Sequence, residues 1–212
     1  MIDASSGRFI TLEGGEGAGK STQIARLKGW LEGRGRSVVA TREPGGSPGA
    51  EMIRQLLVEG PVERWDGTTE ALLHFAARRE HLRSTVRPAL ERGDWVLSDR
   101  FADSTLAYQG YGHGVDRKVF DTLYKVAVGD FRPDLTLILD LPIETGLSRA
   151  AARRGAETRY ESLPRDFHAR VRTGFLAIAA REPERCRVID GTGSVDAIAA
   201  AIAGAVGERL GV

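Results

Sequence analysis

The chain has a single cysteine, Cys186, which rules out an internal disulfide and any zinc site built from several thiolates. It has only four lysines, Lys20, Lys28, Lys118 and Lys125, among 30 basic residues, so a lysine inside a motif carries unusual weight. Excess charge is missing too: 30 basic and 29 acidic residues leave a net charge of +1, which offers no broad attraction to nucleic acid or to an anionic membrane. Any anionic ligand has to be met locally. No apolar run approaches the length of a membrane span, and Met1 to Arg8 has neither the positive nor the apolar region of a signal peptide, so the expected location is cytoplasmic. His74, His81, His113 and His168 show no metal-ligand spacing and read, like Cys186, as structural or surface residues.

What is present is a globular composition, 42% hydrophobic and 28% charged, over 212 residues, enough for one well-buried domain. Short β-type runs alternate with longer helical stretches, and Gly, Pro or Asp marks each switch, the signature of a parallel α/β sheet. The strand candidates are Phe9 to Glu13, Ser37 to Thr41, Trp95 to Ser98, Leu135 to Asp140 and Arg187 to Ile189. Ile24, Leu27 and Leu31 fall on one helical face. Leu72, Phe75, Ala76 and Leu82 suggest a longer helix from about Thr69, and Ile198, Ile202 and Val206 mark a C-terminal helix packed on the sheet. Residues 149–165, crowded with Arg, Glu and small side chains, read as a lid.

The strongest signal is Gly14-Gly15-Glu16-Gly17-Ala18-Gly19-Lys20-Ser21, which satisfies GxxxxGK[ST] directly after an apolar strand and before an amphipathic helix. Its glycines let successive backbone N–H groups turn toward phosphate oxygens, and the helix that follows adds its positive end. Gly14 to Thr22 therefore read as an ATP phosphate cradle. Lys20 is placed for the β- and γ-phosphates, and the Ser21 hydroxyl for Mg²⁺.

Asp99 and Arg100 follow the third strand. In an open α/β sheet ligands collect beyond the carboxyl ends of the strands, so this pair should share the crevice with the loop. Asp99 could hold Mg²⁺ and Arg100 could grip a phosphate; an ordinary cap or surface ion pair is the competing reading. The P-loop fixes the ligand better than the reaction. No Asn-Lys-x-Asp guanine-reading segment and no Leu-Ser-Gly-Gly-Gln transporter signature is present.

Further segments narrow the choice: Thr41-Arg42-Glu43-Pro44-Gly45-Gly46, Leu73-His74-Phe75-Ala76-Ala77-Arg78, Asp99-Arg100-Phe101, Ser104-Thr105-Leu106-Ala107-Tyr108-Gln109-Gly110 and Gly129-Asp130-Phe131-Arg132-Pro133-Asp134-Leu135. With Phe9-Ile10-Thr11-Leu12-Glu13 and the P-loop that continues it to Thr22, and in this order over nearly the whole chain, they make it resemble the thymidylate kinase family. The resemblance implies a P-loop NTPase fold of the nucleoside monophosphate kinase kind, with an open parallel sheet of about five strands flanked by helices. It also implies a cytoplasmic homodimer that needs Mg²⁺ and moves the γ-phosphoryl group of ATP to dTMP, with no nucleic-acid or membrane partner.

By the same resemblance Phe75 would stack on thymine. Arg78 would donate to a base carbonyl or reach toward the monophosphate, and Arg100 would bind the acceptor phosphate. Thr105 matches the position that meets the N3 edge, with Gln109 an auxiliary polar contact. Tyr108 would crowd the sugar C2′, Glu16 would contact the 3′-hydroxyl, and Pro44 would wall the base pocket. The core offers an alternative place for Phe75, which lies on an apolar stripe. Some relatives carry an arginine inside the P-loop; here the variable positions are Gly15, Glu16, Gly17 and Ala18, so the catalytic cation is expected from the lid, from Arg153 first and Arg154 next, while Arg149 reads as a solvated helix face. A kinase for another nucleoside monophosphate, or a switch that binds ATP without transfer, remains the alternative.

Overall fold

The computed structural model describes residues 7–152 and 159–212. Five parallel strands form one sheet in the order β2-β3-β1-β4-β5: β1 Phe9–Glu13, β2 Val38–Arg42, β3 Trp95–Asp99, β4 Leu135–Asp140 and β5 Cys186–Asp190. All five strand candidates are present. β2 begins at Val38 rather than Ser37 and runs through Arg42, and β5 extends on both sides of the run expected for it.

The central strands are buried on both faces, which is why they read as unbroken apolar runs. Alternation still sorts their side chains. Phe9, Val96 and Ile138 join one core with Phe101, Tyr108, Phe167 and Phe175; Ile10, Leu12, Leu97 and Leu137 join the other with α1 (Lys20–Glu32) and, near the C-terminus, α9 (Val195–Leu210). Ile24, Leu27 and Leu31 of α1 and Ile198, Ile202 and Val206 of α9 are all buried there, as their spacing predicts.

Beyond β2 lie α2 (Pro48–Val58) and α3 (Gly67–His81). The latter starts ahead of Thr69 because the Asp66 carboxylate caps it, accepting from the Thr69 N–H at 2.6 Å. It continues through a π-helical turn, Leu82–Val86, into α4 (Arg87–Glu91). Its inward face corrects the apolar stripe read from sequence. Leu72 is 51% exposed and Ala76 is exposed, whereas Glu70, Arg78 and His81 are buried with Phe75. Polar residues face inward because they line or brace a cleft at the carboxyl edge of the sheet. A 3-10 turn, Val62–Arg64, separates α2 from α3, and further along lie α5 (Ala102–Thr105), which runs into a π-helical stretch Leu106–Gly112, then α6 (Arg117–Ala127), α7 (Ile143–Ala151) and α8 (Arg165–Arg181). Among the described residues no helix is long and apolar enough to cross a membrane.

Candidate active site

The loop after β1 is a backbone cradle. Gly14, Gly17 and Gly19 take φ of 135°, 66° and 85°, conformations that side chains disfavour. Gly17 also has no room for a side chain: a Cβ there would overlap the Gly146 carbonyl oxygen of α7. α1 starts from Gly19 with no side-chain cap, so its first N–H groups face the loop's concavity, and Ser21 and Thr22 are exposed in its first turn. Lys20 is buried with Nζ 3.3 Å and 3.2 Å from the carbonyl oxygens of Gly14 and Gly15. Burial, then the nearby Arg100, holds its pKa below the usual lysine value.

Arg100 joins this cradle to the cleft beside it. It is the one non-glycine residue with positive φ among those described, at 69°, a strained conformation of the sort that clusters at functional sites. Its Nη1 donates to the Gly14 carbonyl (3.0 Å) and Ser104 Oγ (3.1 Å), and its Nη2 to Glu16 Oε1 (3.0 Å) and the Tyr108 hydroxyl (3.1 Å). The Tyr108 hydroxyl in turn donates to Glu16 Oε1 at 2.7 Å. Burial opposes the ionised form of Glu16, but Arg100 and Lys20 outweigh it and keep the carboxyl below the usual glutamate range. Underneath, fully buried Glu13 accepts from the Phe101 N–H at 2.7 Å and from Ser104 Oγ at 2.5 Å, which fixes the turn that carries Arg100. Burial, then the neighbouring Asp103, pushes the Glu13 pKa up to about 7.

The cleft itself is lined by Glu16, Pro44, Asp99 and Arg100 together with His74, Arg78, Thr105, Tyr108, Gln109 and Tyr160. Arg78, 2% exposed, is held by its Nε to Glu43 Oε2 (2.7 Å) and by its Nη2 to the Phe101 carbonyl and Thr105 Oγ1 (each 3.0 Å). Glu43 is braced from behind by His81 Nδ1 at 2.9 Å, whose Nε2 lies 2.8 Å from Thr41 Oγ1. Two atoms are left over: Arg78 Nη1, a donor, and Gln109 Oε1, an acceptor, are both buried without a protein partner.

Phe75 does not line this cleft. It packs in the core, its ring centroid 5.4 Å from Phe120 and 6.3 Å from Tyr124. The ring that faces the cleft from this turn of α3 is the preceding residue, His74, which corrects both the stacking expectation for Phe75 and the structural reading of His74. Burial, then Arg78 and Arg100, pushes the His74 pKa down to about 3, so the ring is neutral at physiological pH. Its Nε2 lies 3.2 Å from the Tyr160 hydroxyl.

The family model for thymidylate kinase matches residues 12–202. The chain is 55% identical to a thymidylate kinase of Caulobacter vibrioides over 208 residues, covering 98% of this chain and all of that one. It is 53% identical to a thymidylate kinase of a Bradyrhizobium species over 206 residues, 96% of this chain and 91% of that one. The crystal structure of a thymidylate kinase from Ehrlichia chaffeensis superposes with a TM-score of 0.78 at 33% identity, covering 95% of this chain and 99% of that one. The chain belongs to the thymidylate kinase family.

Thymidylate kinases are nucleoside monophosphate kinases. Arg153 and Arg154 lie outside the described residues. Arg149 lies in the last turn of α7 with Nη1 3.3 Å from the Gly191 carbonyl. Arg159, only 5% exposed, donates to the carbonyls of Leu57, Pro61 and Val62 and pairs with Glu70 at 2.6 Å, so it clamps its own segment against α2 and the turn that follows α2. For Mg²⁺, Ser21 offers a hydroxyl and Asp99 a carboxylate beside the loop. That sparse, hard oxygen set suits an ion that keeps several waters and takes the rest of its ligands from phosphate. Among the described residues no cluster of three or more His, Cys, Asp or Glu forms a protein cage. Burial pushes the Cys186 thiol up to about 12, which leaves it inert.

Glu13, Glu43, Glu70, Ser104 and Tyr160 also build the site. Glu13, Glu43 and Ser104 sit inside the segments that carry the family resemblance, and that position was the available signal. Glu70 and Tyr160 carry none that a single sequence displays.

Proposed function

We propose that this nucleoside monophosphate kinase transfers the γ-phosphoryl group of ATP to dTMP in the cleft described, giving dTDP and ADP for dTTP synthesis. The observation that carries the acceptor choice is the unpartnered pair of buried atoms, Arg78 Nη1 and Gln109 Oε1. A donor and an acceptor left over on two side chains that line the same cleft suit a pyrimidine with a C4 carbonyl and an N3–H. Cytosine, with a C4 amine and a bare N3, would meet each with its like.

Each residue then has a part. Gly14 to Thr22 hold the ATP phosphates, with Lys20 offsetting charge on the γ-phosphoryl group as it moves. Arg100 binds the acceptor phosphate, the charge that would otherwise repel ATP. Its strained backbone and its brace on Glu13 support this reading, because they aim the guanidinium at the loop rather than at solvent. Glu16 and Tyr108, bonded to each other and to Arg100, fit contact with the sugar. Thr105 and Gln109 fit the N3 edge, Pro44 a wall of the pocket, and His74 the base face assigned to Phe75 from sequence. The dTMP phosphate oxygen attacks the γ-phosphorus as the bond to the ADP oxygen breaks. No general base is needed, because a phosphate is already ionised at neutral pH.

Ser21 and Asp99 would hold Mg²⁺, which supplies charge neutralisation on the phosphates. The lid of residues 149–165, in a single domain spanning 1–212, would add a further cation, for which the sequence offers Arg153 and Arg154. A cytoplasmic homodimer completes the reading. Met52 and Leu56 on α2, Leu72 on α3 and Val126 on α6 are exposed apolar residues, and α3 packs against both other helices, which makes a self-complementary face plausible chemistry for a second copy.

The test is ADP release measured across dTMP, dUMP, dCMP, UMP, CMP, AMP and GMP. Fastest turnover with dTMP, followed by dUMP, is expected; a preference for any acceptor outside that pair would overturn the assignment.

A further inference from the structure

We propose that Glu70 is a specificity-positioning residue: buried behind the acceptor pocket, it fixes the hydrogen-bond direction of Gln109 and so selects pyrimidines with an N3–H over those with a bare N3. The inference rests on the acceptor reading above and adds a residue to it.

Glu70 is 1% exposed in the first turn of α3. It is ion-paired to Arg159, whose Nη2 lies 2.6 Å from Oε1, and as a carboxylate it offers only acceptors. Gln109 Nε2 donates to Glu70 Oε2 at 2.8 Å. An amide side chain can turn over at almost no cost in water, but here the flipped form would press its carbonyl oxygen against a carboxylate oxygen inside the protein. Glu70 therefore holds the amide one way round, with Oε1 as the buried acceptor left without a protein partner.

The same carboxylate acts on a second pocket side chain. The Tyr160 hydroxyl donates to Glu70 Oε2 at 3.2 Å, which leaves its oxygen to accept from His74 Nε2, also at 3.2 Å. The bond pattern thus assigns the Nε2–H tautomer to His74. His113 Nε2 stands 3.6 Å from the same oxygen, beyond hydrogen-bond reach. One buried acid behind the site sets donor and acceptor order in two side chains that line it, and Arg159 ties that acid to the end of the lid.

The experiment compares kcat/KM for dTMP, dUMP and dCMP in the full-length chain, with folding followed by thermal melts. In Glu70→Gln the neighbouring amide can present either end, so the dTMP:dCMP ratio should fall by about tenfold. The dTMP:dUMP ratio should hold, because both bases show the same N3 and C4 edge; a general loosening of the pocket would have no reason to spare it. Gln109→Met keeps Glu70 paired to Arg159 and should lower the dTMP:dCMP ratio to a similar degree, and adding Glu70→Gln to it should lower the ratio no further. A folded Glu70→Gln variant with an unchanged dTMP:dCMP ratio overturns the proposal, and so does a further fall in the double variant. If Glu70→Gln does not fold, an unchanged ratio in Gln109→Met overturns it alone. A wild-type chain without preference for dTMP over dCMP would instead sink the acceptor reading, and this inference with it.

Discussion

The two halves of the cleft are built by different means. The donor half is one continuous segment, Gly14 to Thr22, in which glycine torsions and a helix start do the work, Lys20 and Ser21 face the donor phosphates, and the Glu16 side chain turns away to Arg100 and Tyr108 of the acceptor half. The acceptor half is assembled from side chains far apart in the chain: Arg78 reaches Glu43 across 35 positions and Thr105 across 27, and Arg100 reaches back 86 positions to Gly14. A backbone cradle tolerates loss of a side chain structurally and fails chemically. A buried polar network should fail in both ways at once.

That contrast is sharpest at Lys20. Replacing it by Ala is expected to lower kcat by about 10⁴-fold, roughly 5 kcal/mol of transition-state stabilisation, because its ammonium is the loop's one side-chain charge aimed at the moving phosphoryl group. The melting temperature should hardly move, since its partners are loop carbonyls at 3.2 and 3.3 Å rather than a buried counter-ion. Turnover within a few-fold of wild type in a folded Lys20→Ala protein would show that the loop is not the donor cradle.

Arg78→Met should behave in the opposite way. It strands Glu43, 5% exposed, without its guanidinium. The expected loss of stability is roughly 4 kcal/mol, together with a raised KM for dTMP and an unchanged KM for ATP. Denaturant melts and the two KM values check this. If stability is untouched, the Arg78–Glu43 pair is not the brace that its 2.7 Å bond implies.

This difference in construction also explains what could be read from the sequence. The five strands and the P-loop depend on runs of neighbouring residues, so periodicity and spacing reveal them. The inward face of α3 resisted that reading. Phe75 and Leu72 seem alike as apolar residues on a helix, yet one is 2% and the other 51% exposed, because the buried face of α3 is shared with Glu70, Arg78 and His81. A buried charge is legible only when its partner is known, and the partners of these residues come from other segments. The position after β3 brought Arg100 to the cleft, and family resemblance brought Arg78, Thr105 and Gln109; neither showed that His74 rather than Phe75 lines it in the structure.

Glu13 joins the two halves and should respond to pH. Its carboxyl ionises at about 7 in the folded chain against 4.5 for an ordinary glutamate. Between those values the folded state holds a proton that the unfolded chain has released. The stability from this group is therefore present at the acid end and lost as pH rises toward 7, by about 3 kcal/mol in all. Glu13→Gln removes the titration, so its melting temperature relative to wild type should climb as pH is raised from about 5 to about 8. A flat difference across that window would mean Glu13 does not change ionisation there.

The smallest effect probes the register on α3. His74 presents a neutral ring to the cleft, held through Tyr160, while Phe75 is packed against Phe120 and Tyr124. Removing a stacking surface from a base costs on the order of 1 kcal/mol, so His74→Ala should raise the KM for dTMP by about fivefold and leave the KM for ATP and the melting temperature nearly unchanged. His74→Phe should restore most of the lost affinity, since a ring of similar area can lie on the same face. Phe75→Leu should do the reverse of His74→Ala, lowering the melting temperature by a few degrees while sparing the dTMP KM, because it loosens the core without touching the cleft. If Phe75→Leu raises the KM and His74→Ala does not, the stacking ring is Phe75 after all, and α3 must turn relative to the cleft when the acceptor binds.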